Sequence, residues 1–210
     1  MDINGSCLAP AQSAVEYKQV VFVAGTKIER SPYQGSSAET NVLWEDLYNE
    51  FGISRISADS ASQLPNATMP ISGTPDYMVQ LDVFHQLHCL NLLRKLVYPS
   101  VFPIDLTSGS DHALEDIDHL EHCYDQLRQS VQCHSDLATI YWEWVPETKK
   151  AYGNLKTTHT CKDFGKVREW ALDHKFEGDV NLQTEIEGAP VRHLDEFVQD
   201  HTSHGGGHHH

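Results

Sequence analysis

Two copies of one five-residue pattern carry the residues best suited to metal chemistry. Residues 85–89 read His-Gln-Leu-His-Cys, and residues 119–123 read His-Leu-Glu-His-Cys. Both are HxxHC, and positions i, i+3 and i+4 of a helix share one face. Each copy therefore directs two imidazoles and one thiol to the same side. Two such helices packed face to face would bring four imidazoles together, and imidazole is a common ligand of copper, zinc, iron and nickel.

A single HxxH would be weak support for a metal site, because histidines three residues apart often pack as ordinary core residues. Two copies, each followed by cysteine, are harder to explain in that way. Four imidazoles packed together without a metal would each need another hydrogen-bond partner. The sequence therefore predicts a metal-centred enzyme whose ligands are His85, His88, His119 and His122.

The cysteines of the two patterns have two interpretations. As thiolates, Cys89 and Cys123 could ligate the metal. As a disulfide, they would join the two helices beside the site. The chain has no CxxC spacing of the kind found in thiolate zinc sites.

Two glycosylation sequons, at Asn4 and Asn66, accompany five cysteines. Together they favour a secretory-pathway lumen, where disulfides persist. Cys133 and Cys161 are then the natural second pair, and Cys7 is left over. Pairing is not fixed by sequence alone.

Other candidate site residues follow the second pattern. His159 lies two residues before a cysteine and is a further candidate ligand. Arg128 and Asp136 are candidates for contacts with ligands or substrate, although an ordinary surface ion pair or a helix cap explains each equally well. Tyr141 and Trp142 could wall a substrate pocket, or they could serve packing alone.

The charge balance limits the classes of partner. With 30 acidic and 15 basic residues, the chain of 210 residues has a formal charge of −15, which argues against nucleic acid and against a polybasic membrane surface. The sequence contains no run of about 18 apolar residues, which is the length needed to span a bilayer. The chain ends in Gly-Gly-Gly-His-His-His, which looks like an added tag. We therefore expect that an N-terminal anchor or signal ahead of Met1 has been removed.

The strongest helix signals surround the two HxxHC patterns. Thr74 as N-cap and Pro75 at the first helical position predict a helix over residues 75–97. A second helix is predicted from its N-cap Asp111 to about residue 133. The intervening loop is long enough for the two helices to pack antiparallel.

The remaining segments predict a short strand over residues 19–28, a helix over 40–51 and a final helix over 159–176. The predicted fold class is mainly α: a compact helical domain built on the two HxxHC-bearing helices, with long loops and room for a short β hairpin. We expect an irregular lead-in (1–18), a functional domain (19–177), a polar arm (178–204) and the tag (205–210).

These motifs resemble the UstYa-like family, fungal proteins encoded in secondary-metabolite gene clusters, whose hallmark is a pair of HxxHC motifs. The similarity covers roughly residues 20–176. Upstream, it rests on S-x-Y-x-G and W-x-x-L segments. Downstream, it rests on an HCxDxLRQ…C…D stretch and a C-x-D-[FW]…W element. The corresponding residues are 31–35 with Trp44 and Leu47, 122–129 with Cys133 and Asp136, and 161–164 with Trp170.

The resemblance implies copper-dependent oxidative chemistry on a small-molecule or peptide natural product, leading to cyclisation, hydroxylation, desaturation or halogenation. It implies one or two copper ions on the four pattern histidines, with dioxygen or peroxide as oxidant. Family members commonly carry one N-terminal transmembrane helix, which implies a type II anchored protein of the secretory pathway. They often occur in pairs, so a homodimer or a heterodimer with a related protein is a candidate assembly.

Two other classes stay open. One is a zinc-dependent enzyme that performs hydrolysis or cyclisation without oxygen or reductant. The other is an accessory or structural partner of a biosynthetic oxidase, with a closed metal site or none.

Overall fold

The predicted mainly α fold is wrong. The structure, a computed structural model, describes residues 9–26, 29–178 and 183–191. About 39% of the described residues are helical and 16% are in strands, and they form five α-helices and three small antiparallel sheets. The protein is therefore mixed α/β. Segments rich in β-branched and aromatic residues form strands where helical spacing had predicted helix or loop.

The elements follow one another in the order strand, helix, strand, helix, strand, two long helices, three strands and a last helix. Two short 3₁₀ helices, Pro10–Ala14 and Asn49–Phe51, lie among them. The bounds are β1 Tyr17–Val21, α1 Ala38–Glu45, β2 Ser54–Ile56, α2 Ala58–Ser62, β3 Tyr77–Val79, α3 Asp82–Leu96, α4 Asp111–His134, β4 Tyr141–Val145, β5 Lys150–Asn154, β6 Thr158–Lys162 and α5 Phe164–Asp173.

The first HxxHC helix starts later than predicted. Tyr77–Val79 forms β3, and α3 begins only at Asp82. Thr74 does not cap a helix; its hydroxyl donates to the carbonyl of Ile71 at 3.1 Å. The three residues of β3 include an aromatic and a β-branched side chain, which suit a strand. The helix predicted over residues 75–97 was therefore correct only from Asp82 to Leu96.

The second HxxHC helix agrees closely with its predicted range. α4 runs from Asp111 to His134, and its N-cap is Ser110, one residue before the predicted cap. The Ser110 hydroxyl accepts a hydrogen bond from the Ala113 amide at 3.2 Å, which satisfies one of the unpaired amides of the first turn. Ser135 ends the helix in a left-handed conformation, with φ of 36°.

The segment predicted as the last helix is a strand followed by a helix. Thr158–Lys162 forms β6, which pairs antiparallel with β1 in the register Val20 opposite His159. Asp163 then caps α5 through its side chain, which accepts from the Gly165 amide at 2.9 Å. Alternating threonines favour an extended backbone over helix before this cap.

The chain divides into two compact units. The smaller includes Arg55–Val79, with α2 and β3, and the larger comprises Pro10–Ser54 and Gln80–Phe176. In the larger unit, Phe51 and Phe84 stack with centroids 4.7 Å apart. Both side chains are almost fully buried. Both HxxHC helices belong to this larger unit.

One arginine connects three separate segments of the larger unit. The Arg94 guanidinium on α3 donates to the Gly35 carbonyl at 2.8 Å, to Asn41 Oδ1 at 2.9 Å and to Asn91 Oδ1 at 2.7 Å. It also lies over the Trp44 ring, 5.6 Å from its centroid. Because these donors leave in fixed directions from a planar group, Arg94 holds the 31–35 loop and α1 against α3.

We expect Arg94→Lys to destabilise the protein, because an ammonium cannot reproduce this fork of hydrogen bonds. The loss should be about 1–3 kcal/mol of unfolding free energy, measured by urea denaturation. Lys166→Ala removes an exposed i,i+3 ion pair with Glu169 and is the control; it should leave the midpoint unchanged. An Arg94→Lys midpoint equal to that of the native protein would contradict the structural role.

Candidate metal centre

Helices α3 and α4 bring the two HxxHC faces together. The rings of His85 and His122 are tilted against each other with centroids 5.3 Å apart. The rings of His88 and His119 lie nearly parallel, with centroids 5.8 Å apart. The first histidine of each pattern therefore faces the second histidine of the other, as an antiparallel pair of helices requires.

The two helices expose their histidines differently. His85 and His88 on α3 are half-buried, whereas His119 and His122 on α4 are exposed. Only the two α3 imidazoles are therefore partly shielded from solvent. Burial, followed by repulsion from His119 and His85, holds the pKa of His88 below its ordinary value. His88 is thus neutral near pH 7, which is the form that binds metals.

The four histidines form two facing pairs. Two imidazoles that share one tetrahedral ion have centroids roughly 5 Å apart, given a metal–nitrogen bond of about 2.0–2.1 Å. Both observed pairs are close to that separation. Within the described ranges, no three His, Cys, Asp or Glu side chains converge closely enough to hold an ion. Imidazole donors suit copper or zinc. For one ion to gain a third histidine ligand, the two histidine pairs would have to move closer together.

The two pattern cysteines meet inside the helix pair. Cys89 and Cys123 are both fully buried, and the Cys89 Sγ lies 3.8 Å from His85 Nε2. Burial first, and then the hydrogen bond to Cys89, raises the pKa of the Cys123 thiol to about 12. In this state both sulfurs pack as thiols at the helix interface. The Cys89–Cys123 disulfide and the thiolate ligand both stay predictions.

The predictions made for the other cysteines and for the two sequons stay untested. Cys133 is exposed and Cys161 half-buried, and both are thiols in the structure. Cys7 and Asn4 lie outside the described residues. Asn66 is exposed in the loop after α2, as glycosylation would require.

Sequence reasoning missed the residues that hold His88 in place. The Tyr48 ring contacts His88 edge-on, with centroids 5.4 Å apart. The Tyr48 hydroxyl accepts a hydrogen bond from Asn91 Nδ2 at 2.8 Å, and Asn91 is in turn bound by Arg94. Asn91 is 1% exposed. The sequence did hold one signal of this contact. Asn91 is a polar residue near the centre of the helix, three positions after His88.

His159, predicted as an extra ligand, has protein partners at both ring nitrogens. Its Nδ1 lies 2.6 Å from Asp136 Oδ2, and its Nε2 lies 2.9 Å from Thr157 Oγ1. Phe22 stacks on the ring at 3.5 Å. A hydrogen bond from the Ala138 amide, then one with His159, lowers the pKa of the Asp136 carboxyl. This contact ties the segment after α4 to β6, so metal ligation by His159 would require these bonds to break.

Arg128 belongs to an exposed network along α4. Its Nε donates to Asp125 Oδ1 and its NH1 to Gln132 Oε1, both at 2.7 Å. Gln129 donates to the other oxygen of Asp125. In the structure Arg128 therefore forms an ordinary surface ion pair, which was the alternative to its predicted substrate contact.

The aromatic residues after α4 lie on a hairpin formed by β4 and β5. Trp142 is 72% exposed and Trp144 is 64% exposed, so neither forms the wall of an enclosed pocket in this structure. The backbone of Tyr141 pairs with Asn154; its side chain is not described. Trp142 packs against Gly153, where an added Cβ would approach its ring to 3.9 Å.

The family model described as "Mycotoxin biosynthesis protein UstYa" matches residues 4–174, which include both HxxHC helices. The chain belongs to the UstYa family. No solved structure matches it. Across the residues that the structure describes, no helix has the length and apolar character needed to cross a membrane.

Curated members of the UstYa family share about a third of the aligned positions. The chain is 35% identical over 109 residues to the UstYa family oxidase aprY of Aspergillus flavus, covering 50% of this chain and 33% of aprY. It is 31% identical over 128 residues to the oxidase ustYa of the same fungus (60% and 54%). It is 30% identical over 160 residues to the UstYa family oxidase phomYc of Diaporthe leptostromiformis (72% and 62%). The chain thus spans about a third to three-fifths of these relatives.

Burial predicts very different reactivity for the cysteines of this UstYa-family chain. In native protein kept under reductant, iodoacetamide should alkylate exposed Cys133 at least about a hundredfold faster than Cys89 or Cys123, because burial keeps the reagent from the two sulfurs at the helix interface. Peptide mapping by mass spectrometry gives the rates. Similar rates at all three positions would contradict the packing described.

The same labelling separates the two interpretations of the pattern cysteines. In protein unfolded without reductant, free Cys89 and Cys123 would both be alkylated, whereas a disulfide between them would block both until reductant is added. Alkylation of Cys133 and Cys161 in the same sample reports on the second predicted disulfide. If these two cysteines are paired, both will also be blocked until reductant is added.

Proposed function

We propose that this UstYa-family protein is a copper-dependent oxidative enzyme of fungal natural-product biosynthesis. Its reaction would be C–H activation leading to cyclisation, hydroxylation, desaturation or halogenation of a small-molecule or peptide substrate. The observation that supports this most directly is the juxtaposition of His85 with His122 and of His88 with His119. Ligation rich in imidazole and poor in carboxylate suits copper. The relatives' names as oxidases point to the same class of reaction.

The chain's own residues would bind and orient the metal. The two imidazole pairs would hold one or two copper ions, which supply one-electron chemistry with dioxygen or peroxide when bound. Asp82 Oδ1 lies 3.9 Å from His85 Nδ1, and the Cys89 Sγ lies 3.8 Å from His85 Nε2, so the His85 ring has a neighbour at each nitrogen. Tyr48 limits the rotation of the His88 ring. These contacts keep the α3 histidines in place before any metal arrives.

The open face of the centre favours a second candidate function. Because His119 and His122 are exposed, a related chain could cover them, and the protein could act as an accessory partner of an oxidase. The same histidine pairs also suit zinc, which would support a non-redox enzyme. We place the protein in the secretory-pathway lumen, where an N-terminal anchor would hold it at the membrane and its cysteines could form disulfides.

We expect tag-free protein to bind one or two copper ions per chain, measured by elemental mass spectrometry. Substituting His88→Ala or His122→Ala should lower copper affinity at least about tenfold, because each variant breaks one imidazole pair. His134→Ala is the matched control on α4; that ring bonds to the Ser130 carbonyl, and copper content should not change. Full copper content in both pair variants would contradict the centre.

Metal exchange separates the oxidative from the non-redox function. With ascorbate as reductant, copper-loaded protein should consume dioxygen, and the zinc-loaded protein should not, because Zn²⁺ has no redox chemistry. The oxygen electrode gives the rate, and His88→Ala loaded with the same copper concentration is the control. Equal rates for the native protein and this variant would trace the oxygen uptake to unspecifically bound copper.

A further inference from the structure

The hairpin of β4 and β5 carries two tryptophans on one open face. Trp142 and Trp144 alternate along β4, so their side chains leave the same face of the hairpin, and both are mostly exposed. The residues directly opposite them on β5, Gly153 and Ala151, share this face and are small. Ile140 extends the face and is about half exposed. The result is an apolar surface with two large rings at its centre.

A hairpin of this kind needs a partner. Its two strands pack chiefly on each other, and an isolated two-stranded hairpin is only marginally stable in water. Contiguous exposed apolar surface marks interaction sites, and tryptophan is enriched in the interfaces between proteins. We therefore interpret the tryptophan face as a docking surface.

The tip of the hairpin, residues 146–150, is basic within an acidic chain. It holds Lys149 and Lys150 against a single acid, Glu147, whereas the whole chain has a formal charge of −15. Both lysines are exposed. Lys149 adopts a φ of 52°, a left-handed conformation that glycine enters at less cost. A lysine at this turn position keeps a positive charge where a glycine would fit the backbone better.

α4 offers a surface of the opposite charge. Asp118, Glu121 and His122 are exposed, and their spacing places them on one face of the helix. Tyr124, one turn after Glu121, extends this surface with an exposed aromatic ring. We call these four residues the outer face of α4. They do not line the cavity of about 400 Å³ beside His119, so a partner on the outer face leaves that cavity accessible.

The two surfaces complement each other between two copies of the chain. Two chains of like net charge repel each other, and a lysine tip placed on acidic Asp118 and Glu121 offsets that repulsion locally. A lipid surface would also bury the tryptophans, but it would leave the outer face of α4 open. In a twofold pair each hairpin meets the other chain's α4, so both surfaces are buried twice.

The tryptophans are large enough to support such a pair. One tryptophan can bury about 150–250 Å², and a twofold pair contains four of them. Together they would supply a large part of the roughly 1,200–2,000 Å² that a stable protein interface buries. Large aromatic side chains of this kind also provide most of the binding energy of many interfaces.

We propose that two copies of this chain pair reciprocally, with the β4–β5 hairpin of each covering the outer face of α4 in the other. The pairing depends on exposure and charge and requires no metal. It goes beyond the proposed function, because the partner's Trp142 and the partner's Trp144 would wall the candidate centre beside His122. A single chain would then hold an incomplete site, and the wall predicted for Trp142 would form between chains.

Sedimentation velocity on the tag-free full chain tests the pairing across a concentration series. The chain should form a dimer, and Trp144→Ser should raise the dimer dissociation constant at least about tenfold. Tyr17→Ser removes an equally exposed aromatic ring from β1 and is the control, which should pair like the native chain. Circular dichroism checks that each variant is folded. A native chain that stays monomeric, or a Trp144→Ser variant that pairs as tightly as the native chain, would overturn the proposal.

Charge reversal tests which surfaces meet and leaves the tryptophans in place. One chain carries Lys149→Glu with Lys150→Glu, and another carries Asp118→Lys with Glu121→Lys. Each alone would bring like charges together at both contacts, so its dimer should be at least about tenfold weaker than the native dimer. An equal mixture would match opposite charges at both contacts and should form a heterodimer within about threefold of native affinity. No recovery in the mixture would contradict the assigned contact.

Chemical modification of histidine tests whether the centre is covered. Diethyl pyrocarbonate should modify His122 more slowly in the native dimer than in Trp144→Ser, while half-buried His174, after α5, should react equally in both. Peptide mapping by mass spectrometry gives the rates, and equal rates at His122 would overturn the covering role. A monomeric native chain that binds phosphatidylcholine vesicles, with binding lost in Trp144→Ser, would assign the hairpin to a lipid surface instead.

Copper content measured on the same samples separates this inference from the proposed function. A dimer that depends on Trp144 but takes up no copper would overturn the proposed function and leave the pairing standing. A chain that binds copper on the four histidines and stays monomeric would overturn the pairing alone.

Discussion

The contact between Cys89 and Cys123 determines how α3 and α4 pack. Both side chains are fully buried, and each directly follows the second histidine of its pattern. Because neighbouring helical positions diverge by about a quarter turn, a cysteine at the interface places the histidine before it at the edge of that interface. Two small sulfur side chains also let the helix backbones approach closely. The cross-helix histidine pairs are a consequence of this packing.

Sequence alone predicted this part of the molecule because its signals are local. Residue spacing within α3 and α4 sets which side chains share a face, and the connection between the helices is long enough for an antiparallel pair. The start of α3 was not predictable in the same way. Tyr77–Val79 is compatible with both helical and extended spacing, and its extended form depends on pairing with β2 and with Pro70. Likewise β6 depends on pairing with β1, more than a hundred residues earlier.

The long-range contacts around His88 could not be predicted from the sequence either. Arg94 connects the 31–35 loop and α1 to Asn91, and Asn91 binds the tyrosine that contacts His88. The upstream residues that carry the family resemblance thus have a structural explanation. They hold an imidazole in position from outside the helix that bears it. A motif without metal-binding groups can in this way position a candidate metal ligand.

The exposure of His119 is best understood together with the cavity of about 400 Å³ that it helps to line. Oxidative chemistry on a carbon centre benefits from excluding water, yet in this chain the α4 histidines face solvent. A substrate that filled the cavity lined by Leu92, Ile104 and Leu120 would displace water from the side of His119. Binding and protection from solvent would then be one event, because the substrate itself completes the wall of the centre. In such an arrangement the pocket residues would influence the reaction rate as well as the affinity, since a loosely held substrate would leave a bound metal open to water.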